Sequence, residues 1–121
     1  MDNAAAEAFA AEWIAAWNAH DLERILGHYA PDIVFRSPLA AKRVGDGCVV
    51  GLNALRRYWG AGLATQSDLR FELSAVLTGY DSLTILYANH RSQQVAETCE
   101  IGADGKVVRA YACYAPRPDI N

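Results

Sequence analysis

The chain begins with apolar residues spaced as on one face of a helix. They are Ala10, Trp13, Ile14 and Trp17. This three- and four-residue spacing, within a stretch rich in alanine, predicts an amphipathic helix that ends near residues 18–20. Asp21 is a suitable N-cap for a second helix. The apolar stripe of that helix comprises Leu22, Ile25, Leu26 and Tyr29, and Pro31 is expected to close it.

After Pro31 the pattern changes to an alternation of apolar and polar residues. Residues 32–37 include β-branched and aromatic side chains, which predicts a strand with Ile33, Phe35 and Ser37 on one face. Pro38 is expected to end this strand. Residues 38–50 show no clear period, so we predict a long loop there, with a short strand near residues 48–50. A third helix is predicted after Gly51, with Leu55, Tyr58, Trp59 and Leu63 on its apolar stripe.

From residue 69 the apolar residues recur with a period of two, which predicts four strands. A turn at residues 79–82 joins the first two, and Asp104-Gly105 is a strong hairpin signal between the strands at about 94–101 and 106–115. The side chains assigned to the face covered by helices are Leu69, Phe71, Leu73, Leu83, Ile85, Tyr87, Val95, Cys99, Ile101, Val108, Ala110, Ala112 and Tyr114. We therefore predict a single α+β domain over residues 1–121, with three helices packed on one face of an antiparallel sheet.

One charged residue, Glu97, falls on the apolar side of these strands. A carboxyl group there must either lose its charge or find a partner. In the first case its pKa is raised and it can act as a general acid, or as a hydrogen-bond donor to a ligand. In the second case it is a buried glutamate satisfied by a tyrosine, a tryptophan N–H or an arginine. The sequence leaves both interpretations open.

Aromatic side chains are concentrated on the stripes predicted to face inward. Such stripes usually form core, but the polar tips of tryptophan and tyrosine need partners, and together they could line a pocket for a flat apolar ligand. The predicted ligand-binding residues are Trp13, Trp17, Phe35, Ser37, Tyr58, Trp59, Phe71, Tyr87 and Tyr114. Glu97 is the predicted catalytic residue.

Composition and charge exclude several classes of function. The chain is 52% hydrophobic and 21% charged, as expected of a folded domain, and its net charge of −3 gives no drive toward nucleic acid or an anionic membrane. No apolar run reaches the roughly 20 residues of a membrane span, so a cytoplasmic protein is expected. The sequence has no metal-binding or nucleotide-binding motif, and we expect no metal and no cofactor.

Four segments of the sequence together resemble a known superfamily. They are residues 17–22, 29–35, 51–59 and 104–108. In this order they resemble the nuclear transport factor 2-like superfamily, in its SnoaL-like and ketosteroid isomerase branch, over residues 8–115. The resemblance implies a cystatin-like α+β roll: a cone-shaped barrel of helices and a strongly curved sheet, with a pocket inside. It also implies a homodimer formed through the outer face of the sheet.

The resemblance further implies roles for three positions. Ser37 occupies the position of the aspartate base of ketosteroid isomerases, and a serine cannot replace that carboxylate. Trp13 matches their oxyanion-hole tyrosine, with an N–H that can still donate a hydrogen bond. Glu97 matches their second oxyanion donor, a protonated aspartate. Steroid isomerisation by that mechanism is therefore not expected.

Two hypotheses about function remain open. The first is a protein that binds a small apolar or aromatic molecule around Glu97, as a cofactor-independent isomerase, cyclase, dehydratase or hydrolase if it is an enzyme. The second is a non-catalytic dimerisation or protein-interaction domain whose interior is filled by its own aromatic side chains. The predicted outer face of the sheet is mixed in character, which suits a polar homodimer interface or a solvated surface. Its residues are Arg70, Glu72, Thr98, Glu100, Arg109, Tyr111 and Cys113.

Overall fold

A computed structural model describes residues 1–116. The helices are α1 (Asn3–Asn18), α2 (Leu22–Leu26), α3 (Pro38–Val44) and α4 (Leu52–Thr65). The strands are β1 (Tyr29–Arg36), β2 (Cys48–Val50), β3 (Glu72–Gly79), β4 (Ser82–Ala88), β5 (Gln94–Ile101) and β6 (Val107–Tyr114). None of the helices described is long and apolar enough to cross a membrane.

The six strands form one curved, open sheet in the order β2-β1-β6-β5-β4-β3. Neighbouring strands are antiparallel except β1 and β6, which run parallel. The predicted α+β class is confirmed, and residues 1–116 contain four helices in place of the three expected. The strands β4 and β5, and β6 from Ala110 onward, alternate buried and less buried residues, which places one face of the sheet against the helices.

Helix α1 forms where the sequence predicts it and buries the expected face. Asp2 caps its N-terminus by accepting a hydrogen bond from the Ala5 backbone N–H at 2.7 Å. At the other end, the Asn18 side chain makes two hydrogen bonds to the backbone of Phe71, at 2.7 and 2.9 Å. This pair fixes the C-terminus of α1 to the segment that leads into β3. The buried residues of α1 are Ala6, Ala10, Trp13, Ala16 and Trp17.

Helix α2 is shorter than predicted, because Tyr29 and Pro31 belong to β1. Gly27 caps α2, and the next carbonyl, that of His28, accepts a hydrogen bond from the Val107 N–H at 2.9 Å. Pairing with β6 thus begins directly after the helix and buries the Tyr29 side chain in the sheet. Pro31 lies where the register between β1 and β6 shifts. The pairing does not require a backbone N–H at this position, so proline is tolerated there.

The predicted loop over residues 38–50 contains a helix. The Ser37 hydroxyl accepts a hydrogen bond from the Leu39 N–H at 3.1 Å, and Pro38 occupies the first turn of α3, where a missing N–H costs nothing. Gly45 ends the helix with a φ of 83°. The short strand expected near residues 48–50 is present as β2 and pairs with β1.

Two of the inward assignments are wrong, and each lies near a register shift. Between Glu100 and Ile101 the pairing with β6 shifts, so that Val107, instead of Val108, is completely buried. Leu73 lies beside a second shift, on the edge strand β3, and is 38% exposed. The remaining predicted inward side chains are buried or partly buried: Leu69, Phe71, Leu83, Ile85, Tyr87, Val95, Cys99, Ile101, Ala110, Ala112 and Tyr114.

The Asp104-Gly105 turn provides a test of the hairpin that joins β5 and β6. Gly105 has a φ of 81°, and an added Cβ would meet nothing within 4 Å. The change Gly105→Ala should therefore cost only backbone strain, about 1 kcal/mol of unfolding free energy. Urea denaturation would measure it, with Gly105→Asn as the control, since asparagine tolerates this conformation. Equal stability of the alanine variant and the original protein would contradict the positive φ of Gly105 in this turn.

Candidate functional site

Glu97 lies in the middle of β5, an inner strand of the sheet. It pairs with Ile85 of β4 on one side and with Ala112 of β6 on the other, and both of those residues are buried. Its side chain points to the helix-covered face together with those of Val95 and Cys99 and is 3% exposed. The prediction that the Glu97 side chain lies on the helix-covered face of the sheet is thus confirmed.

The Glu97 carboxyl group is buried without a charged partner. Within residues 1–116, no Lys, Arg or His nitrogen lies within 4.0 Å of it, and its Oε2 atom has no hydrogen-bond partner. Burial raises the pKa of Glu97 to about 8. At neutral pH the group is therefore a neutral carboxylic acid, with a proton to donate.

The tyrosines around Glu97 are also neutral. Burial, and after it the proximity of Glu97, raises the pKa of Tyr87 well above its usual value and that of Tyr114 to about 12. Tyr29 is buried too, and its pKa is raised mainly for the same reason. The site is therefore a low-polarity environment in which all nearby hydroxyl groups keep their protons.

A cavity of about 90 Å³ lies beside Glu97, between the sheet and the helices. It is lined by Glu97 and by every predicted aromatic residue: Trp13, Trp17, Phe35, Tyr58, Trp59, Phe71, Tyr87 and Tyr114. The rings pack on one another, with centroids 4.4 Å apart for Phe71 and Tyr87 and 5.0 Å apart for Trp17 and Trp59. An apolar cavity of about 150 Å³ accommodates benzene, so this one holds only part of a ring unless its walls move.

The two tryptophans of α1 differ in the hydrogen bonds available to a ligand. The Trp13 indole N–H donates to the Tyr29 hydroxyl at 2.8 Å, so the donor that the family resemblance implied is used inside the protein. The Trp17 indole N–H is buried and has no partner in residues 1–116. Trp17, and not Trp13, is therefore the lining residue of α1 whose indole donor is unused.

Ser37 is not among the residues that line the cavity. It is 3% exposed and caps α3, as described above. Its hydroxyl is close enough to Tyr58 and Tyr114 to oppose the rise in their pKa that burial causes. Ser37 thus positions α3 and these tyrosines, and the prediction that it contacts ligand is not supported.

Several lining residues were not predicted, and they lie toward the opening of the cavity. One of them is His90, whose side chain is 10% exposed and whose Nδ1 atom has no partner in the described chain. Arg43 was missed because α3 was predicted as a loop. The unpredicted lining residues are Leu39, Arg43, Gly62, Gln66, Leu69, Asn89 and His90. The pair Ser37-Pro38 is a typical helix start. It could have indicated α3, and with it two of these lining residues, Leu39 and Arg43.

Residues 10–114 match the sequence profile of the SnoaL-like domain. The chain belongs to the SnoaL-like family. The predicted resemblance is therefore confirmed. Within residues 1–116 of this SnoaL-like domain, no group of three His, Cys, Asp or Glu side chains is placed to hold a metal ion.

Solved structures support the family assignment. A SnoaL-like protein of unknown function from Burkholderia thailandensis is 39% identical, with a TM-score of 0.93, over 95% of this chain and 98% of the other. AclR from Streptomyces galilaeus, a candidate hydroxylase, is 26% identical, with a TM-score of 0.76 and coverage of 97% and 93%. SalBIII, an epoxide hydrolase/cyclase-like enzyme, is 16% identical and shares the fold, with a TM-score of 0.72 and coverage of 94% and 93%. Comparison with curated protein sequences gives no significant match.

The raised pKa of Glu97 predicts how stability changes with pH. The folded protein holds this proton up to about pH 8, whereas an unfolded glutamate releases it near pH 4.5. Between these values the folded state binds more protons, so this group makes the unfolding free energy fall as pH rises, by about 1.4 kcal/mol per pH unit. Glu97→Gln removes that dependence, and its stability relative to the original protein should increase with pH across this range.

Urea denaturation at several pH values would measure this difference. Glu72→Gln is the matched control for the chemical change, because Glu72 is exposed on β3. Parallel pH profiles for the original protein and Glu97→Gln would show that Glu97 ionises normally and would contradict the assignment.

Proposed function

We propose that this SnoaL-like domain binds a small, largely apolar cyclic molecule and that Glu97 acts on it as an acid. One observation carries the proposal: a buried carboxyl group without a partner lies on the wall of an aromatic cavity. A buried polar atom without a hydrogen bond is costly, and a ligand oxygen at this position would relieve the cost. The aromatic wall favours a flat apolar ring next to it.

A neutral carboxylic acid has a defined chemistry at such a site. It donates a hydrogen bond to a carbonyl, hydroxyl or epoxide oxygen, and it can transfer the proton when negative charge develops on that oxygen. A pKa near the working pH makes this transfer efficient, because the proton is both present and readily released. Isomerisation, ring closure, dehydration and hydrolysis all contain such a step and need no cofactor. Proton uptake from product or water then restores the neutral Glu97.

The names of related proteins support this class of reaction. SalBIII, which shares the fold, is described as an epoxide hydrolase/cyclase-like enzyme with a role in pyran ring formation. Ring closure onto an epoxide leaves negative charge on the epoxide oxygen, and a neutral carboxylic acid supplies the proton that this oxygen takes up. We propose the same type of proton donation for Glu97, on a substrate of its own.

The small cavity favours a second candidate function. A volume of about 90 Å³ and the close ring packing also suit a non-catalytic domain whose interior is filled by its own side chains. Such a domain would act through its surface, and a homodimer through the outer face of the sheet is the interaction we propose for it. On that face Glu100 accepts hydrogen bonds from Arg109 and Tyr111 at 3.3 and 3.0 Å.

Binding of cyclohexanone tests the first function against the second. The probe has one ring and one acceptor oxygen, and it should shift the indole N–H signal of Trp17, assigned with Trp17→Phe, in a proton–nitrogen NMR titration. Glu97→Leu, which cannot donate a hydrogen bond, should weaken binding about tenfold. Glu97→Gln keeps a donor and should bind within a few-fold of the original protein. The affinity should also fall above about pH 8, where Glu97 loses its proton.

Glu72→Leu serves as the control for the size of the substitution, since Glu72 is exposed and does not line the cavity. A Trp17 signal that no concentration of the probe moves would overturn the proposal and favour the filled domain. Equal binding by the original protein and Glu97→Leu would show that Glu97 does not bind the ligand.

A further inference from the structure

Arg43 and His90 line both the aromatic cavity and a larger basin beside it, and we take the boundary between the two as the opening of the cavity. We infer that the ligand carries a carboxylate, which the basic side chains at the opening bind while its ring enters the aromatic cavity. This inference rests on the proposed function and names the class of ligand: a small cyclic acid whose acidic group lies a short distance from the ring. We call the residues Lys42, Arg43, His90 and Arg91 the basic rim.

The basic rim borders a larger basin outside the cavity. This basin has a volume of about 750 Å³ and lies between α3, the turn that joins β4 to β5, and the end of β6. Its described lining contains all four rim residues and no aspartate or glutamate. The chain as a whole carries a net charge of −3, so this concentration of positive charge is local and opposite to the average.

The cations of the rim are not neutralised by carboxylates of the folded chain. Within residues 1–116, Lys42, Arg43 and Arg91 have no carboxylate oxygen within 4.0 Å, whereas Arg24, Arg56 and Arg109 each have one. All three rim cations are exposed to solvent. They are therefore available to an anionic group that enters the basin.

Arg43 connects the basin with the cavity, because it lines both. Its guanidinium group reaches from α3 to Gln66, the residue that caps α4. The Gln66 side-chain oxygen, with the amide turned toward Arg43, accepts from both terminal nitrogens at 3.0 and 3.1 Å. A guanidinium has five N–H donors, so this contact orients the group and leaves others for a carboxylate. If the ring of a ligand lies beside Glu97, the part of the ligand that extends from the cavity into the basin would thus contact Arg43.

His90 provides an independent indication of a ligand at the same place. Its side chain is 10% exposed and also lines both the cavity and the basin. Its Nε2 atom lies 3.8 Å from the Asp68 carboxylate, while its buried Nδ1 atom has no partner among residues 1–116. A buried ring nitrogen without a partner is destabilising, and a polar ligand group at the opening would satisfy it.

The turn that carries His90 and Arg91 is held in one conformation. The Asn89 side-chain oxygen accepts hydrogen bonds from the backbone N–H groups of Arg91 and Gln93, each at 3.0 Å. The Gln93 side chain in turn donates to the Ala115 carbonyl at 2.8 Å, which joins the turn to the end of β6. The backbone that carries His90 and Arg91 is therefore fixed before a ligand arrives, and binding does not have to order it.

A matched pair of probes tests the inference by isothermal titration calorimetry. 3-Phenylpropionate has a ring and a carboxylate, and 3-phenylpropionamide has the same ring and chain length without the charge. We expect the acid to bind at least tenfold more tightly, and we expect added salt to weaken only the acid. Arg43→Gln should lower the affinity for the acid about tenfold and leave that for the amide within twofold. The double change Lys42→Gln and Arg91→Gln should also lower the affinity for the acid. It replaces the Arg43 variant in this test if that variant does not fold.

Arg57→Gln is the control, because Arg57 is an exposed arginine of α4 that does not line the cavity or the basin. Equal affinities for acid and amide, unaffected by the rim substitutions, would overturn the inference and leave the proposed cavity intact. Binding of propionate as tight as that of 3-phenylpropionate would overturn it too, because the anion would then bind without the ring. Failure of both aromatic probes to bind would also overturn the inference, whereas the proposed function is decided separately by the cyclohexanone titration.

Discussion

A carboxyl group enclosed by aromatic rings cannot keep its charge without a cation beside it, because moving an ion out of water costs several kcal/mol. Glu97 is in this situation. The described chain gives it no cation, so the folded state retains its proton to about pH 8, and the neutral form becomes the chemically useful one. The proposed role as an acid and the preference for an apolar ring both follow from this constraint.

The cavity around Glu97 results from two aromatic helix faces meeting one face of a sheet. Trp13 and Trp17 of α1 and Trp59 of α4 cover the strands, and the Asn18 hydrogen bonds to Phe71 hold α1 in place over the entry to β3. The rings are packed so closely that little space remains. The larger space lies in the neighbouring basin, which is lined by the basic rim.

The local pattern of the sequence was sufficient to predict much of this site. The alternation along β5 assigns Glu97 to the inner face, and the three- and four-residue spacings place Trp13, Trp17, Tyr58 and Trp59 inward. Features that depend on pairing between distant strands were not predictable in this way. The register shift that exchanges Val107 for Val108, and the early start of β1 at Tyr29, are set by contacts with other strands. A period-two pattern cannot show them.

Side-chain partners were also beyond the sequence. Nothing local indicates that Trp13 donates to Tyr29, or that a turn after β4 brings His90 to the cavity. A carbon-13 NMR titration of the Glu97 carboxyl carbon, assigned with Glu97→Gln, tests the protonation of this group directly. Burial of Glu97 predicts a protonated group at neutral pH and a midpoint near pH 8. A midpoint near pH 4.5, the usual value for glutamate, would contradict it.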